Sequence, residues 1–155
     1  ELVLDGADLI QDLRRFIDGL DPERPESRTF RHDARAIVTL MQGIRPMEST
    51  LDLDDELADE LPDSHHLLQI LREALSNSMR HSDATQLTVS LRRGEHCTVF
   101  EVIDNGTNFD PSVFGIGGRG LSNFEARADE MGATLNLTKT PGGGAHVKLT
   151  LPPTN

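Results

Sequence analysis

The chain has 155 residues, a mass of 17.1 kDa and a formal charge of −11, so it can bury one core with an appended segment and is too short for a large multidomain enzyme. The acidic balance excludes sequence-independent binding to nucleic acid or to an anionic membrane surface, because both need clustered lysine and arginine. No apolar run approaches the roughly 20 residues of a membrane span, so we expect no part of the chain to insert into a bilayer.

The first 44 residues are predicted to lead into a domain. Apolar residues recur at helical intervals over residues 2–20, and the stretch DPERPES at 21–27 has the prolines and mixed charge of a linker. Residues 28–43 repeat the helical pattern, with Gly43 placed to end the helix. Because the sequence opens in mid-pattern without Met, we expect it to be a piece of a longer protein. The predicted divisions are a helix tail at 1–22, a linker and helix at 23–44, and the domain at 45–155.

The next segments carry strand and helix signals in turn. In residues 47–55 apolar residues fall only on alternate positions, which predicts an edge strand. Residues 62–81 begin with Pro-Asp-Ser, carry apolar residues at helical spacing and end with cations, which predicts a helix. The stretches 85–93 and 96–104 are alternating or β-branched, and a short Gly-Glu connection between them predicts a hairpin.

The last third of the chain repeats this alternation. Residues 105–118 contain a proline and several glycines and are predicted to form a loop. Residues 120–133 are predicted to form a helix, with Gly132 at its end. Two final strands flank PGGG at 141–144. The order of elements predicts an α+β fold, a two-layer sandwich with helices on one face of a mixed, mostly antiparallel sheet.

One helix edge carries candidate chemistry in the sequence LREALSNSMRH, residues 71–81. Glu73 and Asn77 are one helical turn apart, and Arg80 and His81 follow about one turn later. A carboxylate that can deprotonate a nucleophile, an amide oxygen for a Mg²⁺ shell and two cations suit phosphoryl transfer. An ordinary solvated helix face with a polar pair explains the same pattern.

Two glycine-containing segments supply further candidates. Asp104 ends a buried-looking strand and is followed by Asn105-Gly106, so a ligand such as the exocyclic amine of adenine could approach its carboxylate, although such turns are common. Residues 115–124, GIGGRGLSNF, place glycines before a helix start, where backbone N–H groups and Arg119 can offset phosphate charge. A mobile surface loop explains this run equally, and neither a Walker nor a Rossmann motif is present.

Taken in order, these motifs resemble a known family. Glu73-x-x-x-Asn77-x-x-Arg80-His81, then Asp104-x-Gly106, then a glycine lid entering a helix at Gly120-Leu121, and finally PGGG, are similar to the GHKL family of ATP-binding domains. Within that family, REALSNSMRHSDAT and GRGLSNFEARADEMGATL resemble the catalytic domain of sensor histidine kinases of the NarL/DevS type. The resemblance covers about residues 45–152.

The resemblance implies a role for each motif. ATP would lie between the helices and the sheet under a flexible lid, and its γ-phosphoryl group would pass to a histidine on a neighbouring dimeric helical domain, then to an aspartate of a response regulator. It implies a homodimer in the full protein and, with the single Cys97, a reducing, cytoplasmic location. The implied site comprises Glu73 as the catalytic acid/base, Asn77 as the Mg²⁺ ligand, Arg80 and His81 at phosphates or ribose, Asp104 and Gly106 at adenine, and Gly118, Arg119, Gly120 and Leu121 in the lid and helix start.

The chain departs from the family pattern in two places. Asn108 stands where a second glycine usually follows Asp-x-Gly, and Ala145 stands where the family commonly has threonine after two glycines. The first change narrows the space near the nucleotide unless Asn108 tolerates positive φ, and the second removes a hydroxyl from the adenine pocket. We expect weakened ATP affinity with the catalytic residues intact.

Three alternatives remain open from the sequence. The phosphate acceptor could be His32 in FRHDAR, although a surface helix position fits His32 better and places the acceptor on a preceding helical domain. The chain could be a nucleotide-responsive binding module that transfers little or no phosphate. It could also be an anti-sigma-type serine kinase, which the leading helix at 2–20 disfavours.

Overall fold

The computed structural model describes residues 29–43, 46–61, 64–81, 83–109 and 120–152. The predicted helix at 2–20 and the linker at 21–27 lie outside these residues. The described elements, in chain order, are α1 (Phe30–Gln42), β1 (Glu48–Leu53), α2 (Asp55–Glu60), α3 (Ser64–His81), β2 (Gln86–Arg93), β3 (Thr98–Asp104), α4 (Gly120–Glu130), β4 (Thr134–Lys139) and β5 (Ala145–Leu151).

The five strands form one sheet in the order β1-β2-β3-β5-β4. The β1–β2 pair is parallel and the other three pairs are antiparallel. Parallel neighbours need a crossover connection, which α2 and α3 supply. The predicted α+β class, with a mixed and mostly antiparallel sheet and β1 at its edge, is confirmed.

One face of the sheet forms the floor of the hydrophobic core. Because side chains alternate along a strand, the register aligns apolar residues into rows that cross all five strands. The helices α1, α2, α3 and α4 contact the sheet or one another above these rows. The two rows are Leu51, Val89, Val102, Val147 and Leu137, and Leu53, Leu91, Phe100, Leu149 and Leu135.

The helix α3 lies at the centre of the helical layer. All six residues from 67 to 72 are buried, whereas a helix packed on one side only would bury a single stripe. Burial on several sides fixes both the position and the rotation of α3. Its polar edge is therefore held at a defined place relative to the sheet.

The helix α1 belongs to the same core. The Thr29 side chain caps its start by accepting a hydrogen bond from His32 N, and Gly43 ends it. Phe30 packs edge-on against Phe100 of the sheet, with 6.2 Å between ring centroids. His32 is exposed on this helix, which agrees with its interpretation as a surface residue.

Local details differ from the sequence-based expectation in three places. The short helix α2, capped by the Asp54 side chain, was not predicted, because six residues are too few to show a helical period. The β2–β3 connection spans residues 94–97, so it is longer than the predicted Gly-Glu turn. Cys97, which the predicted strand at 96–104 included, lies instead in this connection and is half-buried.

The other face of the sheet is polar and carries a buried acid. Glu101 is 8% exposed; its Oε1 accepts a hydrogen bond from Arg92 at 3.0 Å, and its Oε2 lies 2.5 Å from Nε2 of His146. Burial alone would raise the pKa of Glu101. The hydrogen bonds and charges of His146 and Arg92 outweigh burial, so the pKa of Glu101 lies below its ordinary value of 4.5.

We expect Glu101→Gln to lower the free energy of unfolding at neutral pH by about 1–2 kcal/mol, discounted for the exposure of Arg92. Because the folded-state pKa is depressed, the carboxylate stabilises the fold above pH 4.5, and this contribution is lost as pH falls through the folded pKa. Calorimetric unfolding at pH values above and below 4.5 should show a constant difference from wild type above pH 4.5 and a shrinking one below it. The exposed Glu95→Gln is the control, and a difference independent of pH would contradict the assignment.

Candidate functional site

The two halves of the predicted site meet at Asp104. This residue ends β3 and is 4% exposed, and Ser78 on α3 donates a hydrogen bond to its Oδ2 at 2.6 Å. The backbone N–H groups of Gly106 and Ala145 donate to Oδ1 at 2.9 and 3.1 Å. Three donors from three segments of the chain therefore fix the carboxylate beside α3.

The β4–β5 turn packs directly beneath Asp104. A Cβ on Gly144 would lie 2.2 Å from the Asp104 backbone oxygen and 2.7 Å from its Oδ1. Gly143 has φ +101°, and a Cβ there would lie 2.6 Å from the carbonyl oxygen of Thr107. Gly143 and Gly144 of PGGG are thus required by close backbone approach.

We expect Gly144→Ala to lower the free energy of unfolding by about 2–3 kcal/mol, because the added methyl group displaces the Asp104 backbone and carboxylate. Thermal unfolding followed by circular dichroism would measure the loss. The control is Gly142→Ala, since nothing lies within 4 Å of a Cβ at that position. Equal stability of the two variants would argue against the close approach.

The loop after β3 is fastened to the segment that follows α3. The Asn105 Oδ1 accepts hydrogen bonds from the backbone N–H groups of Thr85 and Gln86, at 2.8 and 2.9 Å. Thr107 donates to the carboxylate of Asp83 through both its backbone N–H and its hydroxyl. These bonds hold the segment after α3 beside the loop after β3.

Glu73 is half-buried and forms an ion pair with Arg72, with 2.5 Å between Oε1 and a guanidinium nitrogen. Adjacent residues of a helix point about 100° apart, so both side chains must bend toward one edge of α3 to meet. The Arg72 side chain is 8% exposed, which places its charge inside the protein beside Glu73. The pair fixes where the Glu73 carboxylate points.

The remaining predicted residues occupy the following places. Asn77, Arg80 and His81 lie on the last turns of α3, although their side chains are outside the described part of the structure. Gly120 and Leu121 begin α4, and Gly118 and Arg119 lie outside the described residues. The structure therefore brings α3, Asp104 and Gly106 together, and the lid residues stay predictions.

Sequence reasoning missed two contributors, Ser78 and Arg72, and it named PGGG as a motif without the contacts of Gly143 and Gly144. Ser78 directly follows Asn77 in the sequence. Its role could have been predicted only if α3 had been known to lie beside Asp104. The backbone N–H of Ala145 donates to Asp104, a contact that does not depend on the side chain at this position, and the effect of Ala145 on ATP affinity stays a prediction. Asn108 is exposed, and glycines alone have positive φ among the described residues, so Asn108 does not need a glycine conformation.

A Mg²⁺ ion held together with a nucleotide stays a prediction for this site. Mg²⁺ prefers oxygen ligands and is commonly bound through one or two protein groups plus substrate phosphates. The predicted protein ligand, Asn77, lies on α3, with its side chain outside the described part of the structure. Within the described ranges, no cluster of three or more His, Cys, Asp or Glu residues could hold a metal.

None of the helices in the described part of the chain is long and apolar enough to cross a bilayer.

Comparison with solved structures places the fold among histidine kinase domains. The histidine kinase domain from the Erythrobacter litoralis EL346 blue-light activated histidine kinase superposes with a TM-score of 0.68 at 15% identity, covering 96% of this chain and 75% of that one. The ATP binding domain of PrrB from Mycobacterium tuberculosis gives 0.58 at 20% identity, covering 79% and 90%. At such identities the likeness concerns the fold alone.

Comparison of sequences extends the resemblance. The sensor protein VraS of Staphylococcus epidermidis is 29% identical over 142 residues, which are 91% of this chain and 40% of VraS. VraS of Staphylococcus saprophyticus is 28% identical over 149 residues, or 93% of this chain and 42% of that protein. The chain thus spans about two fifths of the length of these relatives. Residues 62–155, more than half of the chain, match the family described as histidine kinase-, DNA gyrase B-, and HSP90-like ATPase, and the chain belongs to that family.

Proposed function

We propose that the chain is the ATP-binding catalytic domain of a two-component sensor histidine kinase. It would transfer the γ-phosphoryl group of ATP to a histidine on an adjacent helical domain absent from this chain. The observation that carries the proposal is the buried Asp104 carboxylate held against α3 by Ser78, because it joins the adenine motif to the helix that bears Glu73 and Asn77. The matching family and the similarity to VraS support it.

The adenine end of the proposed pocket is formed by Asp104 and Gly106. A carboxylate at a strand end can accept the hydrogen bond of the exocyclic 6-amino group of adenine. The loop around Gly106 is braced by Asn105 and Thr107, so the pocket wall is set before the nucleotide arrives. Such preorganisation reduces the ordering that binding must impose.

The phosphate end of the proposed pocket lies along the C-terminal half of α3. Asn77 would ligate Mg²⁺, and Arg80 and His81 would contact phosphates or ribose. Gly118, Arg119, Gly120 and Leu121 would form the lid and the start of α4, where helix N–H groups favour an anion. Mg²⁺, when bound, would neutralise charge on the phosphates. Local cations of this kind are needed in a chain of net charge −11.

The proposed chemistry uses Glu73 as the acid/base residue. A nitrogen of the acceptor imidazole forms a bond to the γ-phosphorus, and the bond from that phosphorus to the bridging oxygen of ADP breaks. ADP leaves with the electron pair of the broken bond, and Glu73 accepts the proton that the imidazole releases. The contact with Arg72 would hold Glu73 in place for this transfer.

The rest of the proposed assembly follows from the kinase function. Residues 1–22 would be the tail of a dimerisation helix, 23–44 a linker and the helix that docks on the core, and 45–155 the catalytic domain. The partners would be the phosphoacceptor domain of a homodimer and a response regulator, and the location cytoplasmic.

Transfer from ATP labelled at the γ-phosphate to a supplied helical domain bearing the acceptor histidine tests the proposal. We expect label on the acceptor in the presence of Mg²⁺, with the acid-labile and alkali-stable behaviour of phosphohistidine. Acid-stable label on a hydroxyl would instead favour the serine kinase alternative. Binding of ATP without any transfer would favour the nucleotide-responsive module.

A further inference from the structure

The Asp104 carboxylate has few acceptor positions left for a ligand. Two carboxylate oxygens offer about four acceptor positions, and neighbouring groups already use three of them. Gly106 N and Ala145 N occupy Oδ1, and the Ser78 hydroxyl occupies Oδ2 at 2.6 Å. Counting donors from the described residues alone, one position remains, and it is on Oδ2.

Ser78 is placed to control that remaining position. Its side chain is 5% exposed and lies on α3, so the packing of the helix fixes its distance from Asp104. A carboxylate only accepts hydrogen bonds, so the hydroxyl proton must point at Oδ2. This bond comes from the helix side of Asp104, whereas the two backbone bonds come from the loop and from β5.

The hydrogen bond from the Ser78 hydroxyl also compensates for the alanine at position 145, which has no side-chain donor. Asp104 and Ala145 are adjacent across β3 and β5, because Ile103 pairs with His146. A threonine at 145 would offer a hydroxyl to Asp104 from β5, but alanine offers only its backbone N–H. The carboxylate therefore receives its side-chain hydrogen bond from α3.

We propose that Ser78 is a positioning and specificity residue for the nucleobase: it holds Asp104 so that one acceptor position faces the pocket and selects a purine with a 6-amino group. This inference rests on the proposed ATP site. A 6-amino group donates the single hydrogen bond that the position accepts. A 6-oxo purine would bring an acceptor against the carboxylate and leave a buried polar group unsatisfied.

Calorimetric titration of the chain with ATP and with purine riboside triphosphate, which lacks the 6-amino group, tests the inference. We expect Ser78→Ala to weaken ATP binding about 5- to 20-fold and binding of the analogue less than about 2-fold. In Ser78→Ala/Ala145→Thr, the new hydroxyl should restore ATP affinity to within about 3-fold of wild type. GTP should bind weakly to wild type and lose less than ATP on Ser78→Ala.

The control is Ser76→Ala on the same helix, whose buried hydroxyl has no hydrogen-bond partner in the described part of the chain. It should bind both nucleotides like wild type. Equal losses for ATP and the analogue, or no loss, would overturn the role of Ser78 and leave the kinase proposal standing. Should Ser78→Ala not fold, Ser78→Cys keeps the shape with a weaker donor and should show the same selective loss. A wild-type chain that binds no ATP would overturn both proposals.

Discussion

Replacing Glu73 with glutamine should lower phosphoryl transfer to an acceptor histidine by about 10²- to 10⁴-fold and change ATP affinity by less than about 3-fold. Glutamine keeps the shape of the side chain and an oxygen that can accept from Arg72, but it cannot take a proton. The ion pair of 2.5 Å holds Glu73 at the edge of α3, so the variant should retain the geometry of the helix. Rates of label transfer and calorimetric titration with ATP measure the two quantities separately.

The matched control for this variant is Glu56→Gln, an exposed glutamate on α2. It should transfer phosphate at the wild-type rate, since it lies outside the proposed pocket. If Glu73→Gln also transfers phosphate normally, another group removes the proton and the assignment is wrong. If wild type binds ATP but transfers none, the behaviour is that of a nucleotide-responsive module, in which Glu73 has no catalytic task.

Asp104→Asn should weaken ATP binding by about 2–4 kcal/mol, on the order of 30- to 1,000-fold. An amide replaces one acceptor oxygen with an N–H₂ group, which must face the Ser78 hydroxyl, the two backbone N–H donors or the adenine amine. The Ser78 hydroxyl can turn to accept from this group, but either orientation of the amide still sets the N–H₂ against the backbone N–H donors or the adenine amine, which adds an unsatisfied group to the lost hydrogen bond. Calorimetric titration with ATP, with and without Mg²⁺, gives the affinity.

The stability of Asp104→Asn must be measured alongside its affinity, because the same carboxylate joins three segments of the fold. Thermal unfolding should show a folded chain with a lowered midpoint, so the binding loss can be assigned to the site. Asp52→Asn, at an exposed position on β1, is the control and should match wild type in both measurements. Unchanged ATP affinity in folded Asp104→Asn would remove Asp104 from adenine recognition.

Much of the fold could be read from periodicity. The apolar positions of α3 recur at helical spacing, and β2 and β3 alternate or are β-branched, so their type and order follow from local sequence. The helix α2 could not be predicted, because its six residues are held by the Asp54 cap and by burial of Leu57 and Ala58, which only the assembled core provides.

The candidate site was likewise predictable only in part from local sequence. The order of Glu73, Asn77, Asp104 and the glycine runs carries the family resemblance, since these motifs are local patterns with fixed spacing. Ser78 contacts Asp104 from 26 residues away along the chain. Gly144 lies against the same residue from 40 residues away. No local pattern encodes such pairs, because they exist only once α3 and the β4–β5 turn pack against the end of β3.

The sequence by itself determined the type and order of most elements, and its motifs carried the family resemblance and the predictions for the site. The tertiary structure alone decided which hydrogen bonds hold Asp104, that Arg72 pairs with Glu73, and that the polar face of the sheet buries Glu101 between Arg92 and His146. The physical reason is that periodicity reports which side of an element is buried, whereas the partner of a polar side chain depends on the three-dimensional meeting of distant segments.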